Sequence, residues 1–125
     1  MKILIADDDI SFINMFIKVL NELASGLVEI DTATSIIECY QKINRDGYDK
    51  IFIDYKFRNL SATDLFDLLY INPEKIYVLS AYEKEFLEKE MAPFKEKIVR
   101  IISKVEMSKN IEKFVKDVIL KEAHG

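Results

Sequence analysis

The chain has one cysteine, one histidine, two prolines and three glycines among its 125 residues. The lone thiol, Cys39, has no partner for an internal disulfide and no histidine near it. That usage fits a cytoplasmic protein with an ordinary helix-face cysteine. His124 is next to last, so a metal or catalytic site built on histidine is not expected. Scarce glycine and proline leave little material for loops, and elements must follow one another closely. No linker, internal repeat or low-complexity tract interrupts the chain. No apolar run approaches the ~18 residues that a membrane span needs. The opening "MKILIADDD" is cut off by Asp7, Asp8 and Asp9 before it could serve as a secretory signal. An excess of positive charge is also missing. Lys+Arg number 18 against 22 Asp+Glu, a net charge of −4. A nucleic-acid surface requires a basic stripe, so neither nucleic acid nor membrane is an expected partner.

What is present is core material. Half the residues are apolar and 11% are aromatic, enough for one domain over residues 1–125. "KILIA" (2–6) is an apolar run of strand length. "ISFINMFIKVLNELA" (10–24) places Ile10, Ile13, Phe16, Ile17, Leu20 and Leu23 at helical spacing, with Gly26 as a stop. "LVEIDTA" (27–33) alternates like a half-buried strand. "SIIECYQKINRD" opens with Ser35 and Glu38 in a capping box and carries an inner stripe of Ile36, Cys39, Tyr40 and Ile43. "YDKIFIDY" (48–55) is a third strand, "SATDLFDLLYI" (61–71) a helix, and "KIYVLSA" (75–81) a fourth strand. "YEKEFLEKEM" (82–91) is a short charged helix, "KIVRIISK" (97–104) a fifth strand, and 107–123 a closing amphipathic helix. This strict βα alternation predicts a five-stranded, doubly wound parallel sheet with helices on both faces.

In such sheets ligands sit beyond the carboxyl ends of the strands. Those ends carry chemistry here. The first strand runs into Asp7, Asp8 and Asp9, the third ends in Asp54, the fourth in Ser80 and the fifth in Lys104. Three successive carboxylates each raise the cost of ionising the next. They are tolerable where water or a cation reaches them. A hard divalent ion such as Mg²⁺ suits a site of one or two carboxylates completed by water.

With "ILIADDD", "YDKIFID", "VLSA" and the lysine of "IISK" in that order, the chain resembles the receiver domain of bacterial two-component response regulators along nearly its whole length. The resemblance implies a flavodoxin-like (βα)5 fold of strand order 2-1-3-4-5. It implies Asp54 as phosphoacceptor, Asp7 and Asp8 as the acid pair for Mg²⁺, and Asp9 in a third, often acidic place. Asp54 and the backbone carbonyl of Lys56 would complete the metal set. Ser80 and Lys104 would contact the phosphate. A histidine kinase or phosphotransfer protein would supply the phosphoryl group, and a downstream protein would be met through residues 82–91 and the last helix near Lys109, Lys113 and Lys116. The roles agree with the chemistry. A carboxylate that attacks phosphorus forms an acyl phosphate, and the transfer is helped mainly by positioning and charge.

The departures from the family pattern are specific. Arg58 and Ala62 stand where proline and glycine are usual, Val105 where a proline follows the lysine, and Ile101 where an aromatic ring usually switches. Without that ring, output is expected to run through residues 80–91, with Tyr82 a helix-start aromatic near the phosphate mouth. Turnover of an external substrate is not expected. Two other readings stay open. A receiver-like module could make protein contacts without phosphate. "DDDIS" also fits the D-x-D-x-[TS] signature of haloacid-dehalogenase-like phosphatases with Asp7 as nucleophile, a reading that leaves Asp54 unused. No DNA-binding domain is expected within the chain, which would be either a stand-alone receiver or part of a longer protein.

Overall fold

Strands that are apolar at every position must be covered on both faces. In the computed structural model, which describes residues 1–57, 60–61, 75–82, 84–93 and 100–121, they are. The main sheet is built from β1 (Lys2–Ala6), β2 (Glu29–Ala33), β3 (Lys50–Asp54), β6 (Ile76–Ser80) and β7 (Arg100–Ser103). Its spatial order is β2-β1-β3-β6-β7 and every pairing is parallel. This is the expected 2-1-3-4-5 order. The chain winds outward from β1 in opposite directions, so the cleft at the change of direction lies at the carboxyl ends of β1 and β3.

Alternate residues of each strand feed two cores. Leu4, Ala6, Ile51, Ile53, Ile76 and Val78 face one side, with Cys39 and Ile43 of α2 (Ile36–Arg45) and Leu87 and Met91 of α3 (Lys84–Met91). Ile3, Ile5, Phe52, Tyr77, Leu79 and Ile102 face the other. They meet α1 (Ile10–Ala24) and the C-terminal helical region. On that second side Phe16 sits edge-on to Phe52 at 5.3 Å, and Phe52 stacks on Tyr77 at 4.9 Å. Phe16 is fully buried. Phe16→Ala is therefore expected to cost about 3–5 kcal/mol, a large share of a small domain's stability. A urea titration checks this. A loss under about 1 kcal/mol would mean that the ring is not the packing centre the contacts describe.

Local chemistry sets the element ends. Asp9 caps α1 by accepting the Phe12 N–H at 3.1 Å. Gly26 takes φ +80° just past the end of α1, the left-handed conformation that glycine adopts without penalty. Ser35 caps α2 by accepting the Glu38 N–H, while Glu38 Oε1 accepts the Thr34 N–H at 2.9 Å. The reciprocal arm of the expected capping box thus lands one residue early. Tyr48 donates its hydroxyl to Asp31 at 2.7 Å, and Lys42 binds the same carboxylate at 2.9 Å. These two bonds outweigh the burial of Asp31 and hold its carboxyl below the ordinary value.

Several boundaries differ from the sequence expectation. Ile10 and Tyr40 are exposed, and the buried face of α1 is Phe12, Ile13, Phe16, Leu20 and Ala24. The core does not extend to Ile10 in the first turn of α1. A small antiparallel pairing of β4 (Lys56–Phe57) with β5 (Leu60–Ser61) follows β3. Two-residue strands leave no periodicity to read. The closing helix starts at Lys104, not 107. α4 (Lys104–Lys109) is capped by Ser103, which accepts the Glu106 N–H at 3.2 Å. The helix then breaks at Asn110, which caps α5 (Ile111–Phe114), and continues as a π-helical turn, Val115–Leu120. The expected helix over 61–71 falls, beyond Ser61, outside the described residues, as do Arg58, Ala62 and His124. Among the described residues no helix is long and apolar enough to cross a membrane.

Candidate functional site

Three consecutive aspartates turn out to hold three different positions. Asp7 continues the β1 ladder, its N–H donating to Ala33 O at 2.9 Å, and is fully buried. Asp8 is half-buried beside it. Asp9 is exposed and occupied with capping α1. The backbone of Asp9 also fixes Asp7, donating its N–H to Asp7 Oδ1 at 2.9 Å. The short strand-to-helix connection thus aims one carboxylate into the fold and leaves the next at the mouth.

Asp54, the last residue of β3, comes from the adjacent strand and is 7% exposed. Carboxylate oxygens of Asp7, Asp8 and Asp54 lie within 4.8 Å of one another. Lys104 reaches into the group from the first position of α4. Its Nζ lies 2.5 Å from Asp7 Oδ2 and 3.1 Å from Asp54 Oδ1. The ammonium also stands 4.7 Å over the Phe12 ring. Among the described residues, the three clustered carboxylates thus have this one ammonium between them. The Lys104 ammonium against buried Asp7 Oδ2 offsets part of the cost of burying that carboxylate.

The electrostatics follow from that shortage. Burial, and then the charge of Asp7, push the Asp54 carboxyl up to about 7, against the pull of Lys104. Asp7 is raised as well, chiefly by burial. For Lys104 burial works against the charge, but the paired carboxylates win and its value is raised. The site is short of positive charge, and a proton or a cation relieves it.

Ser80 closes β6, one residue beyond Leu79, the partner of Asp54 in the ladder. It is buried, and its Oγ accepts the Tyr82 N–H at 2.8 Å. Lys56 lies two residues past Asp54, with an exposed side chain at the start of the small β4–β5 pairing. Asp7, Asp8, Asp54 and Lys104 are therefore gathered in one place. Ser80 stands on the next strand with its oxygen engaged locally. The described peptide bonds are all trans, including Lys104–Val105. Lys104, expected at a strand end, opens a helix instead. The signal for its true place was Ser103-x-x-Glu106, a helix-start pattern overlooked inside "IISKVEM". Phe12 beneath Lys104, and Tyr55 packed against Tyr82 at 5.8 Å, were also missed, because both contacts join residues distant in sequence.

No protein-family model matches the chain. A sensory transduction protein LytR from Staphylococcus haemolyticus is 28% identical, with 84% of this chain covered. The chain spans 45% of that relative's length. Among solved structures, a CheY-like response regulator receiver domain protein from Methanospirillum hungatei is 22% identical with a TM-score of 0.71, covering 99% of this chain and 98% of its own. A response regulator protein from Burkholderia pseudomallei, solved with a phosphorylated aspartic acid, a calcium ion and citrate, is 19% identical with a TM-score of 0.67. The match covers 96% of this chain and 74% of that one. The chain has the fold of response-regulator receiver domains.

Proposed function

We propose that residues 1–125 form a phosphoryl-accepting receiver domain of a two-component relay, with Asp54 as the acceptor. The observation that carries this is the gathering of Asp54, Asp7, Asp8 and Lys104 at the carboxyl ends of neighbouring strands. A histidine kinase or phosphotransfer protein is the donor, and the cytoplasm is the place of action.

The residues present fit Mg²⁺. Among the described residues the clustered carboxylates of Asp7, Asp8 and Asp54 outnumber the one ammonium beside them. Asp8 and Asp54 would hold the ion, with Asp7 and the Lys56 carbonyl contributing. When bound, it supplies positive charge that neutralises the phosphoryl oxygens. The rest is the work of this chain. Ionised Asp54 attacks phosphorus, and an O–P bond forms as the P–N bond of the donor phosphohistidine breaks. The imidazole leaves with the electron pair. Lys104 meets the charge on the transferred group, which is roughly −2. Ser80 donates a hydrogen bond from its hydroxyl to one of the phosphoryl oxygens. The buried position of Asp54 limits water around the acyl phosphate. Output then passes through residues 82–91 and the last helix.

A phosphatase that uses Asp7 as nucleophile is disfavoured. Asp7 is fully buried, with Oδ1 bound to the Asp9 N–H and Oδ2 against Lys104. A phosphate-independent module fits the exchange of a switching ring for Ile101, but leaves the crowded carboxylates without a purpose. The test is labelling by acetyl phosphate with and without Mg²⁺. One phosphoryl group per chain, bound as an acyl phosphate and abolished by chelator, is the expected result. In a Mg²⁺ titration Asp8→Asn is expected to bind at least about tenfold more weakly, since it removes one charged ligand. Equal affinity would remove Asp8 from the metal set, and absence of any label would leave the phosphate-independent module.

A further inference from the structure

We infer that Tyr82 couples the Ser80 hydroxyl to helix α3, supplying by contact the aromatic link that Ile101 does not provide. The inference rests on the proposed phosphorylation of Asp54 and deepens it. Three observations carry it. Ser80 is 1% exposed, and its Oγ accepts the Tyr82 backbone N–H at 2.8 Å. The Tyr82 ring stands edge-on to Tyr55, the residue after the acceptor, with centroids 5.8 Å apart and planes at 88°. The same ring lies 5.5 Å from Phe86, in the first turn of α3. Tyr55 is itself anchored, since its N–H donates to Leu79 O at 2.8 Å and its side chain belongs to the core that holds Leu87 and Met91.

A serine hydroxyl has one proton to give and two lone pairs to receive. Ser80 can therefore donate to a phosphoryl oxygen on Asp54 while still accepting from Tyr82. If the oxygen turns toward Asp54, the Tyr82 N–H must follow or let go. Either event shifts a ring wedged between Tyr55 and Phe86. Tyr82 is 44% exposed and Phe86 46%, so neither is locked by surrounding core. α3 is a two-turn helix whose buried anchors are Leu87 and Met91, and its first turn is the part free to respond. Ile101 only packs against the side of the same core and has no hydrogen-bonding group to pull.

The chain contains no tryptophan, so Tyr82→Trp makes a single fluorescent reporter at the proposed pivot. Intact mass reads phosphate on the same sample. With acetyl phosphate and Mg²⁺, the indole emission of Tyr82→Trp is expected to shift in step with the added phosphoryl mass. Ser80→Ala in that background is expected to shift emission without any phosphate and to abolish the phosphate-dependent change. In the otherwise wild-type chain, phosphorylation is expected to change amide exchange across 84–91 by about fivefold, the size of one net hydrogen bond. Tyr82→Ala is expected to take up phosphate normally and lose that response. Phosphate on the protein with unchanged indole emission, or an α3 response that persists in Tyr82→Ala, overturns the coupling. If no phosphate is taken up, the acceptor reading fails. The Ser80→Ala comparison then decides the coupling alone: a shift retains it, and no shift overturns it.

Discussion

Asp54→Asn is expected to take up no phosphoryl group from acetyl phosphate or from a histidine kinase, while keeping the fold of the wild-type chain. The amide is nearly isosteric with the carboxylate but is not a nucleophile toward phosphorus. The surrounding geometry does not offer a ready substitute. Asp7 is buried with Oδ1 committed to the Asp9 N–H and Oδ2 to Lys104. Asp9 is capping α1. Asp8 is nearest to being free, and its loss is expected to weaken metal binding instead. Intact mass spectrometry of the variant, with circular dichroism to confirm folding, is the measurement. A full phosphoryl mass on Asp54→Asn would move the acceptor elsewhere and dismantle the proposed mechanism.

The same substitution is expected to make the metal-free protein more stable at pH 8. The Asp54 carboxyl titrates at about 7 in the fold, against an ordinary value of 3.8. Between those values the native state holds a proton that the unfolded state has lost. Wild-type stability contributed by this group is therefore full below pH ~4 and is lost as pH rises to 7. About three units at 1.36 kcal/mol each give an upper bound of about 4 kcal/mol. Relaxation and entering water reduce that to on the order of 2 kcal/mol. The amide that replaces Asp54 carries no charge to lose. Its advantage should be present at pH 8 in chelator, shrink toward pH 5, and vanish when saturating Mg²⁺ neutralises the carboxylates. Urea titrations at the two pH values, with and without Mg²⁺, are sufficient. A variant less stable than wild type in chelator at pH 8 would mean that Lys104 needs the Asp54 charge more than the site suffers from it.

The two results divide the site's properties between chemistry and crowding. One asks whether Asp54 reacts. The other asks whether the fold is strained by keeping it ionised. A site built this way is poised for a cation, because a bound cation would remove an electrostatic penalty that the fold carries without it.

Sequence alone determined the architecture, because the evidence for it is local and repeated. Apolar runs such as "KILIA" and "KIFID" suit strands covered on both faces, and helical spacing follows. Alternation with short connections leaves few topologies. It also put Asp7, Asp54 and Ser80 at or just past strand ends, and strand ends of such a sheet converge. Tertiary structure decided how those residues divide the work. Nothing in "DDD" says that Asp7 is buried against a lysine, that Asp8 stands half-open and that Asp9 caps a helix. The three share one side-chain chemistry, and only the path of the chain separates them. Lys104 acts from a helix's first turn because Ser103 starts that helix early, and it reaches Asp7 from the far end of the sequence. The contact of Tyr82 with Tyr55 likewise joins two strands' ends. Periodicity reports which face a residue is on. Burial, charge sharing and ring contact depend on which other faces arrive there, and that is a property of the assembled sheet.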